Sequence, residues 1–344
     1  MNIAYQCSNS FVQPLMVSLT SYLENNKSDE TLNLFILSPD FSDENLEKIK
    51  RIISKYDKLG TVSVIHIPDF RKEWGWKIDD YNGKWGQDSF IRLCLGKVLP
   101  DDIHKVLYLD SDVLICKDLT DLWNTDLTGY IAGAVADFIP KEYYDYFGLT
   151  DNDVYCNSGV ILFNLDECRS ECLEEKVKRY LDEKNGYVFF VEQTVFNVVC
   201  KGKIKKLPFK YNVTSIPLTL NLKQIHLLRK PVKQYEDNEI IEATKDYSIL
   251  HMISFFKVVN RAWYKKTNYP LKHEFNTYSK IIKGFDFFED NRSFKKKIID
   301  FFVHLLPSSL LCFMIGIYYR NGRLKKYSKF VVMKNEDHIE RRKK

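Results

Sequence analysis

The sequence contains no Cys-x-x-Cys pair, no internal repeat and no low-complexity tract. Its eight cysteines are scattered, mostly within apolar runs, at positions 7, 94, 116, 156, 168, 172, 200 and 312. The N-terminal segment also lacks a basic stretch followed by a long apolar core, which is the pattern of a secretory signal. We therefore expect reduced, buried thiols in a cytoplasmic protein rather than a disulfide framework.

A net positive charge is found only at the C-terminus. The formal net charge is +5, yet residues 320–344 carry ten Lys and Arg against three acidic residues, a local +7 that leaves about −2 for the other 319 residues. The hydrophobic fraction of 45% and charged fraction of 28% are typical of a soluble globular protein with a sizeable core. The basic character therefore belongs to the tail.

Strand patterns and amphipathic helix patterns alternate along the chain, which predicts an α/β fold with a mostly parallel sheet flanked by helices. We expect one domain over residues 1–280 and a C-terminal extension over residues 281–344. Predicted strands cover residues 2–6, 32–37, 62–67, 106–109, 131–136 and 157–163. Predicted helices cover residues 12–24, 43–56, 89–99, 166–183 and 192–199.

Two aspartates follow the apolar strand in the segment VLYLDSDVLI, residues 106–115. Asp110 and Asp112 leave the sheet at the carboxyl end of that strand, where α/β folds bind ligands. Oxygen ligands suit Mg²⁺ or Mn²⁺, and such ions keep positions open for substrate phosphates. The pair predicts a divalent metal site for a nucleotide-linked substrate, and the alternative is a simple strand cap.

Four aromatic residues lie in an irregular, glycine-containing stretch after the third predicted strand: Trp74, Trp76, Tyr81 and Trp85. Aromatics concentrated in a loop are typical of a lid or a sugar-stacking surface. A loop held on the sheet by its tryptophans is the other interpretation, and the role of this stretch stays open at this point.

Four further segments combine with the aspartates. They are FIRLCLGKVLP with Arg92, YCNSGVILFN with Asn157 and Ser158, VEQTVFN with Glu192 and Gln193, and HMISFFK with His251 and Lys257. Together they resemble glycosyltransferase family 8, the retaining enzymes that include bacterial lipopolysaccharide galactosyltransferases and glycogenin. The resemblance covers roughly residues 1–265 and implies a GT-A type nucleotide-sugar-binding fold.

The resemblance implies a metal centre and a diphosphate site. Asp110, Asp112 and His251 would hold Mn²⁺, with Mg²⁺ as the alternative, against the diphosphate of a UDP-sugar. Lys257 lies six residues after His251, as in the HxxGxxK pattern of the family, and would contact the diphosphate. Ser254 replaces the glycine of that pattern, so the close approach of the backbone to phosphate is in doubt.

The resemblance also implies the residues around the donor. Gln193, Glu192 and Lys257 would be catalytic, and the predicted donor-binding residues are Ser8, Phe11, Arg92, Asp110, Ser111, Asn157, Ser158, Glu192, Gln193, Ser254 and Lys257. Phe11 keeps a flat face for the uracil base, whereas Ser8 and Glu192 depart from the acidic residue and the aspartate usual in the family. An amide is a feeble nucleophile, so we expect front-face departure and attack with Gln193 as a positioning group.

An apolar tract over residues 298–319 is interrupted by Asp300, His304 and Pro307 and flanked by basic residues. This pattern is typical of a segment lying on an anionic membrane surface, and we expect residues 295–344 to do so at the inner face of the cell membrane. Packing on the domain and a true span are the alternatives. Attachment suits a lipid-linked acceptor, and no nucleic-acid partner is expected.

The expected function is transfer of galactose or glucose to a glycan or lipid-linked saccharide in cell-surface polysaccharide or glycoconjugate synthesis. Two other classes remain as hypotheses. A haloacid-dehalogenase-type phosphatase also has Asp-x-Asp after a strand. In those phosphatases the motif lies close to the N-terminus, whereas here it begins at residue 110. A non-catalytic nucleotide-sugar or glycan-binding protein would fit the substitutions at Ser8 and Ser254.

Overall fold

The computed structural model describes residues 1–27, 31–79 and 87–342, with side chains up to residue 334. The strands in these ranges are β1 (Asn2–Gln6), β2 (Asn33–Ser38), β3 (Val62–His66), β4 (Lys105–Asp110), β5 (Val113–Ile115), β6 (Ala132–Ala136), β7 (Cys156–Asn164), β8 (Ile204–Lys206), β9 (Val213–Thr214) and β10 (Ile249–His251). The α-helices are α1 (Val12–Asn25), α2 (Asp43–Ile53), α3 (Leu95–Val98), α4 (Thr120–Trp123), α5 (Lys141–Phe147), α6 (Leu165–Ser170), α7 (Leu173–Glu183), α8 (Val191–Val199), α9 (Ser215–Thr219), α10 (Leu222–Arg229), α11 (Asp237–Ala243), α12 (Lys272–Ser279), α13 (Phe294–Leu305), α14 (Ser308–Ile317) and α15 (Arg323–Arg342).

The large sheet has the strand order β3-β2-β1-β4-β7-β6-β8. Strand β1 pairs in parallel with β2 and β4, β2 with β3, and β6 with β8, whereas β7 runs antiparallel to both β4 and β6. A second sheet contains β5, β10 and β9 in that order. The predicted α/β class with a mainly parallel central sheet is therefore confirmed.

Strand β4 is buried on both faces, as its apolar sequence predicts. Val106 and Tyr108 point into one hydrophobic core, and Leu107 and Leu109 point into the other, so all four are fully buried. Helices cover both faces of the sheet. The polar residues of the candidate active site therefore lie at the carboxyl end of β4, beyond the apolar layers.

Two predicted helices differ from their sequence-based bounds. Residues 87–94 form a 3₁₀ helix before α3, and within it the buried Arg92 donates from Nε to the carbonyl of Ser89, 3.1 Å away. The single helix predicted over residues 166–183 is two helices, because Cys172 adopts a left-handed conformation (φ 48°) between α6 and α7. Both deviations tighten or turn the chain next to the sheet.

The tryptophans of the irregular stretch pack inward where the structure describes them. Trp76 is buried and stacks on Phe70 at 4.9 Å between ring centroids, and Trp74 meets the same ring edge-on at 5.1 Å. This favours the interpretation of a loop held on the sheet. Tyr81 and Trp85 lie outside the described residues.

The C-terminal extension forms a bent helical hairpin, α13 and α14, broken at Pro307. No single helix among the described residues combines the length and the apolar character needed to cross a membrane, but α13 and the segment Ser308–Lys334 meet that test as a pair bent by 117°. Leu311, Cys312 and Gly316 of α14 are buried. The domain boundary near residue 280 stays a prediction.

Candidate active site

Sheet register brings three separate segments to the carboxyl end of β4. Val113 of β5 lies opposite His251 of β10, so Asp112 comes next to the imidazole. Leu109 pairs with Val160, which puts the start of antiparallel β7 beside Asp110. The gathering depends on long-range pairing and on the turn after β4, where the chain leaves the first sheet for the second.

Asp110, Asp112 and His251 form one group whose ligand atoms all lie within 4.8 Å of one another. His251 Nε2 is 3.2 Å from Asp112 Oδ1 and 3.8 Å from Asp110 Oδ2. Burial raises the pKa of Asp112, but the charge of Arg261 and the adjacent ring of His251 outweigh it and lower that pKa well below its usual range. Asp112 is therefore ionised at neutral pH and available as a metal ligand.

Hydrogen bonds determine which nitrogen of His251 faces the carboxylates. Asn157 Oδ1 accepts from the backbone N–H of Gly159 (3.0 Å), so Asn212 must donate its Nδ2 to that same oxygen (3.0 Å). Asn212 Oδ1 is then left to accept from Nδ1–H of His251 at 3.1 Å. In this tautomer the lone pair of Nε2 faces two carboxylates, an arrangement that a shared cation stabilises. The donor set therefore fits a divalent metal.

The hydrogen bonds continue from Asn157 to the catalytic candidate Gln193. Asn157 Nδ2 donates to Gln193 Oε1 over a long 3.5 Å, and Gln193 Nε2 donates to Asp137 Oδ2 at 3.4 Å. Every donor from His251 to Gln193 points the same way, and the chain ends on the carboxylate of Asp137, which can only accept. This polar relay links the candidate metal ligands to the amide that the sequence singled out.

Arg92 pairs with two carboxylates of the site, those of Asp110 and Glu192. Its guanidinium is 3.0 Å from Asp110 Oδ1 and 3.5 Å from Glu192 Oε1, and it donates to the carbonyl of Ser158 at 2.7 Å. It also lies over the ring of Tyr108, 4.6 Å from the centroid. Burial raises the pKa of Glu192, against the opposing effect of Arg92. Arg92 thus holds two carboxylates in fixed positions.

A strained residue presents Glu192 and Gln193. Val191, directly before them, has φ 49°, a conformation that costs a β-branched residue energy and that recurs at functional sites. Gln193 N donates to the carbonyl of Phe190 at 3.1 Å, which tightens the first turn of α8. Directly after this turn, Glu192 lies beside Arg92, and Gln193 accepts from the backbone N–H of Ser158.

These side chains line one cavity of about 660 Å³, which we call the site cavity. Of the predicted site residues it contains Ser8, Phe11, Arg92, Asp110, Ser111, Asp112, Asn157, Ser158, Glu192, Gln193, His251 and Ser254. Arg323 of the C-terminal extension also lines it and lies over the ring of Phe190, 4.7 Å from the centroid. The extension therefore contributes to the wall of the site.

Lys257 is the predicted site residue that the structure does not bring into the site cavity. Its Nζ donates to the carbonyls of Val303 (3.0 Å) and Leu306 (3.5 Å). Carbonyls at the end of a helix lack intrahelical partners and attract a cation, so the ammonium group caps α13 instead. Besides Arg92, the cation beside the metal-ligand carboxylates is Arg261, whose Nη1 lies 2.7 Å from Asp112 Oδ2. The role predicted for Lys257 stays a prediction.

The sequence reasoning missed Arg261, Asn212, Asp137 and Arg323. Arg261 and Asn212 follow or precede motif residues in mixed polar segments where nothing in the local pattern separates them from surface residues. Asp137 directly follows the apolar strand β6, and that position at a strand end was the one available signal.

We expect Asn212→Leu to weaken divalent metal binding about 10- to 100-fold, because the leucine cannot accept the proton of His251 Nδ1 and the ring loses its orientation. Isothermal titration of the protein with Mn²⁺ measures this. Asn212→Asp, which keeps an acceptor for Nδ1, should retain most of the affinity. Equal affinities for the leucine variant and the unchanged protein would contradict the tautomer assigned to His251.

Comparisons with known proteins agree with this geometry. The model of the family described as glycosyl transferase family 8 matches residues 2–258. A putative glycosyltransferase of Haemophilus influenzae is 29% identical over 62% of this chain and 63% of its own length. The lipopolysaccharide 1,2-glucosyltransferase of Escherichia coli K12 is 24% identical over 93% of this chain and 92% of that protein, an alignment that reaches into the extension.

Solved structures show the fold. The galactosyltransferase LgtC, in complex with donor and acceptor sugar analogs, has a TM-score of 0.66 at 19% identity and covers 87% of this chain and all of that one. GlyE of Streptococcus pneumoniae TIGR4 has a TM-score of 0.55 at 19% identity, covering 81% and 60%. The fold is therefore the GT-A fold of these glycosyltransferases. Within that class, the chain belongs to glycosyl transferase family 8.

Proposed function

We propose that this protein transfers a hexose, galactose or glucose, from a UDP-sugar to a saccharide or lipid-linked acceptor in cell-surface polysaccharide or glycoconjugate synthesis. The observation that carries the proposal is the convergence of Asp110, Asp112, His251 and Gln193 on one cavity of a GT-A fold. The E. coli relative is a lipopolysaccharide glucosyltransferase and LgtC is a galactosyltransferase, which supports the same substrate class.

Mn²⁺, with Mg²⁺ as the alternative, is the proposed metal, and Asp110, Asp112 and His251 would hold it. Bound there, such an ion supplies neutralisation of the charge that develops on the departing UDP. Arg92 keeps Asp110 oriented, and Asn212 keeps the lone pair of His251 turned toward the two carboxylates. These residues act before the bond to the sugar breaks, by fixing the ligands in advance.

Retention of anomeric configuration by front-face departure and attack is part of the proposal. Glu192 Oε1 faces Arg92 and accepts from Ser158 Oγ at 3.2 Å, so the carboxylate is already engaged. Gln193 Oε1 accepts from the backbone N–H of Ser158 at 3.3 Å, which suits a positioning group. Mass spectrometry of the protein after incubation with a UDP-sugar and Mn²⁺ tests this, because a glycosyl adduct on either side chain would overturn it.

The experiment that tests the function is a screen of UDP-sugars for hydrolysis with Mn²⁺, read as UDP release. We expect turnover of UDP-galactose or UDP-glucose that stops when EDTA removes the metal. Binding of a UDP-sugar without any turnover would favour the non-catalytic binding protein instead. Absence of both binding and turnover across the panel would reject the proposal.

Substitutions at Arg261 and Lys257 test which of the two cations contacts the diphosphate of the donor. We expect Arg261→Gln to weaken UDP binding about 10- to 100-fold, because Arg261 lines the site cavity beside Asp112 and its charge-assisted contact with the diphosphate would be lost. Lys257→Gln should change UDP affinity less than about threefold while α13 becomes more sensitive to limited proteolysis, because that ammonium caps the helix end. Titration calorimetry with UDP and Mn²⁺ measures both variants. The reverse ranking would show that Lys257 leaves α13 when the donor binds.

We also propose that residues 295–344 attach the protein peripherally to the inner, cytoplasmic face of the cell membrane. The hairpin exposes large apolar side chains, among them Phe294, Phe301, Phe302, Leu305, Phe313 and Met314. Basic residues lie in its first turn, at positions 295–297, and along α15, which follows it. Exposed aromatic and aliphatic groups beside lysines suit the interface of an anionic bilayer.

Vesicle sedimentation tests the attachment with the full chain. The triple variant Phe301→Ser, Phe302→Ser and Phe313→Ser should lose most binding to vesicles containing phosphatidylglycerol. Ile241→Ser, which removes an exposed apolar side chain from the α/β domain, is the matched control and should bind normally. Unchanged sedimentation of the triple variant would refute attachment through the hairpin.

A further inference from the structure

A second cavity of about 680 Å³ lies beside the site cavity. Its walls are the end of β6, helix α10 and the segment of residues 231–240, and its lining is largely apolar, with Phe138, Leu222, Ile225, Val232 and Tyr235. Pockets of this size and apolar character are typical of sites for small organic ligands. We call it the second cavity.

The second cavity meets the site cavity at one carboxylate. Asp137 lines the second cavity, and its Oδ2 accepts from Nε2 of Gln193, which lines the site cavity. A ligand in the second cavity therefore lies within one side chain of the amide at the end of the polar relay. The hydrogen bond between Asp137 and Gln193 thus joins the walls of the two cavities.

The other side of α10 packs on the apolar hairpin. Gly316 of α14 lies so close to the carbonyl of Leu227 that an added Cβ would be 2.2 Å from that oxygen, and Arg320 donates to the same carbonyl at 2.7 Å. Leu227 itself lines the second cavity. Helix α10 thus lies between an apolar cavity and α14, whose Leu310, Phe313 and Met314 are exposed.

Charged side chains of both signs line the second cavity, with Asp137 and Asp237 as well as two lysines. Lys223 and His226 line it from the exposed side of α10, and Lys233 lines it from the facing segment, where it pairs with Glu236 at 2.7 Å. An apolar interior with a lysine at the rim suits an amphipathic molecule better than a free sugar, whose hydroxyls would lose water against the apolar wall.

We propose that the second cavity binds the apolar aglycone of the acceptor, next to its sugar, while the reacting hydroxyl reaches the site cavity past Asp137. This rests on the proposed function, because it assumes that the protein glycosylates an acceptor. The acceptor class is then an amphipathic glycolipid or glycoside rather than a free oligosaccharide. The hairpin would bring the protein to the surface that holds such acceptors.

Alkyl glycosides test the proposal without knowledge of the natural acceptor. Titration calorimetry compares methyl and octyl β-glucoside and β-galactoside, below micelle-forming concentrations, on the full chain with UDP and Mn²⁺. Each buried methylene strengthens binding about fourfold at most, so we expect octyl glycosides to bind at least about tenfold more tightly than methyl glycosides. Equal binding would overturn the proposal.

Variants assign the binding to the cavity. Leu222→Trp, at a half-buried lining position, should remove the octyl preference, and Val232→Trp serves as a second filling variant if the first has a lowered melting temperature. Ile241→Trp adds the same bulk on the outer face of α11, where the side chain is 41% exposed, and should keep the preference. An octyl preference that survives both filling variants would mean adsorption to the exposed hairpin and would overturn the proposal.

Hydrolysis of the UDP-sugar needs no acceptor, so this measurement separates the proposed transferase function from the proposed role of the second cavity. The filling variants should hydrolyse the donor at the normal rate, because none of the changed residues lines the site cavity. An octyl preference in a protein that hydrolyses no UDP-sugar would leave the cavity assigned and reject the proposed function. Normal hydrolysis without an octyl preference would reject the cavity alone.

Discussion

Replacing Asp112 by asparagine is expected to weaken Mn²⁺ binding and UDP-sugar hydrolysis by at least about 100-fold, more than the loss of an outer hydrogen-bond partner would. Asp112 lies 3.2 Å from His251 Nε2 and 2.7 Å from Arg261, and its side chain is only 9% exposed. The substitution removes one of the two carboxylate charges available to the metal and leaves Arg261 facing a neutral amide. Titration calorimetry and UDP release measure the two losses.

The matched control is Asp121→Asn, an exposed carboxylate in the first turn of α4, shortly after β5. It should bind metal and hydrolyse the donor normally. Thermal melting gives a second readout, since Mn²⁺ should raise the melting temperature of the control but not of the Asp112 variant. Metal-dependent stabilisation of the Asp112 variant equal to that of the control would contradict the assigned ligand set.

The second large effect is expected from Gly159→Ala on strand β7. A Cβ at this position would lie 2.1 Å from Cε1 of His251, closer than real contacts allow. The imidazole must move, and its hydrogen bond to Asn212 and its approach to Asp112 are lost together. We expect at least about a 100-fold loss of Mn²⁺ affinity, because a ligand and its orienting partner are both displaced.

Gly133→Ala on the neighbouring strand β6 is the control. Its Cβ would meet the side chains of Leu207 at 3.0 Å and Leu127 at 3.2 Å, far from the metal ligands. That variant should lose stability through overpacking yet bind Mn²⁺ normally once folded. If Gly159→Ala lowers the melting temperature but leaves metal affinity unchanged, then His251 is not a ligand.

Several features of the fold and site followed from local pattern. The apolar run of β4, buried on both faces, predicted a strand inside a helix-covered sheet, and the two aspartates that follow it lie at the strand end. Helix α2 also begins close to its predicted start, because Ser42 accepts from Asn45 N and acidic residues fill the first turn. These features depend on neighbours within a few residues.

Other features depended on partners far away in sequence. Asn212 matters only because β9 pairs with β10 and brings its amide to His251, 39 residues later. Arg92 was expected near the donor sugar, but its contacts with Asp110 and Glu192 come from burial between three segments. No local pattern distinguishes such residues from ordinary surface polar groups.

The C-terminal extension illustrates the same division. Its apolar tract, the interruption at Pro307 and its basic flanks are visible in the sequence and predicted a segment that lies on a membrane surface. That α13 ends on the ammonium of Lys257, and that Arg323 reaches the wall of the site cavity, required the packed structure. A lysine goes to whichever unsatisfied carbonyls or anions the packing offers it.

By itself, the sequence determined the α/β alternation, the strand that ends in Asp110 and Asp112, and the presence of an apolar and basic extension, because hydrophobic period and charge are local properties. Only the tertiary structure decided which tautomer of His251 faces the carboxylates, that Arg261 rather than Lys257 lies beside them, and that Asp137 joins two cavities. The reason is physical: hydrogen bonds and ion pairs form between groups that long-range strand pairing and helix packing bring within about 3 Å.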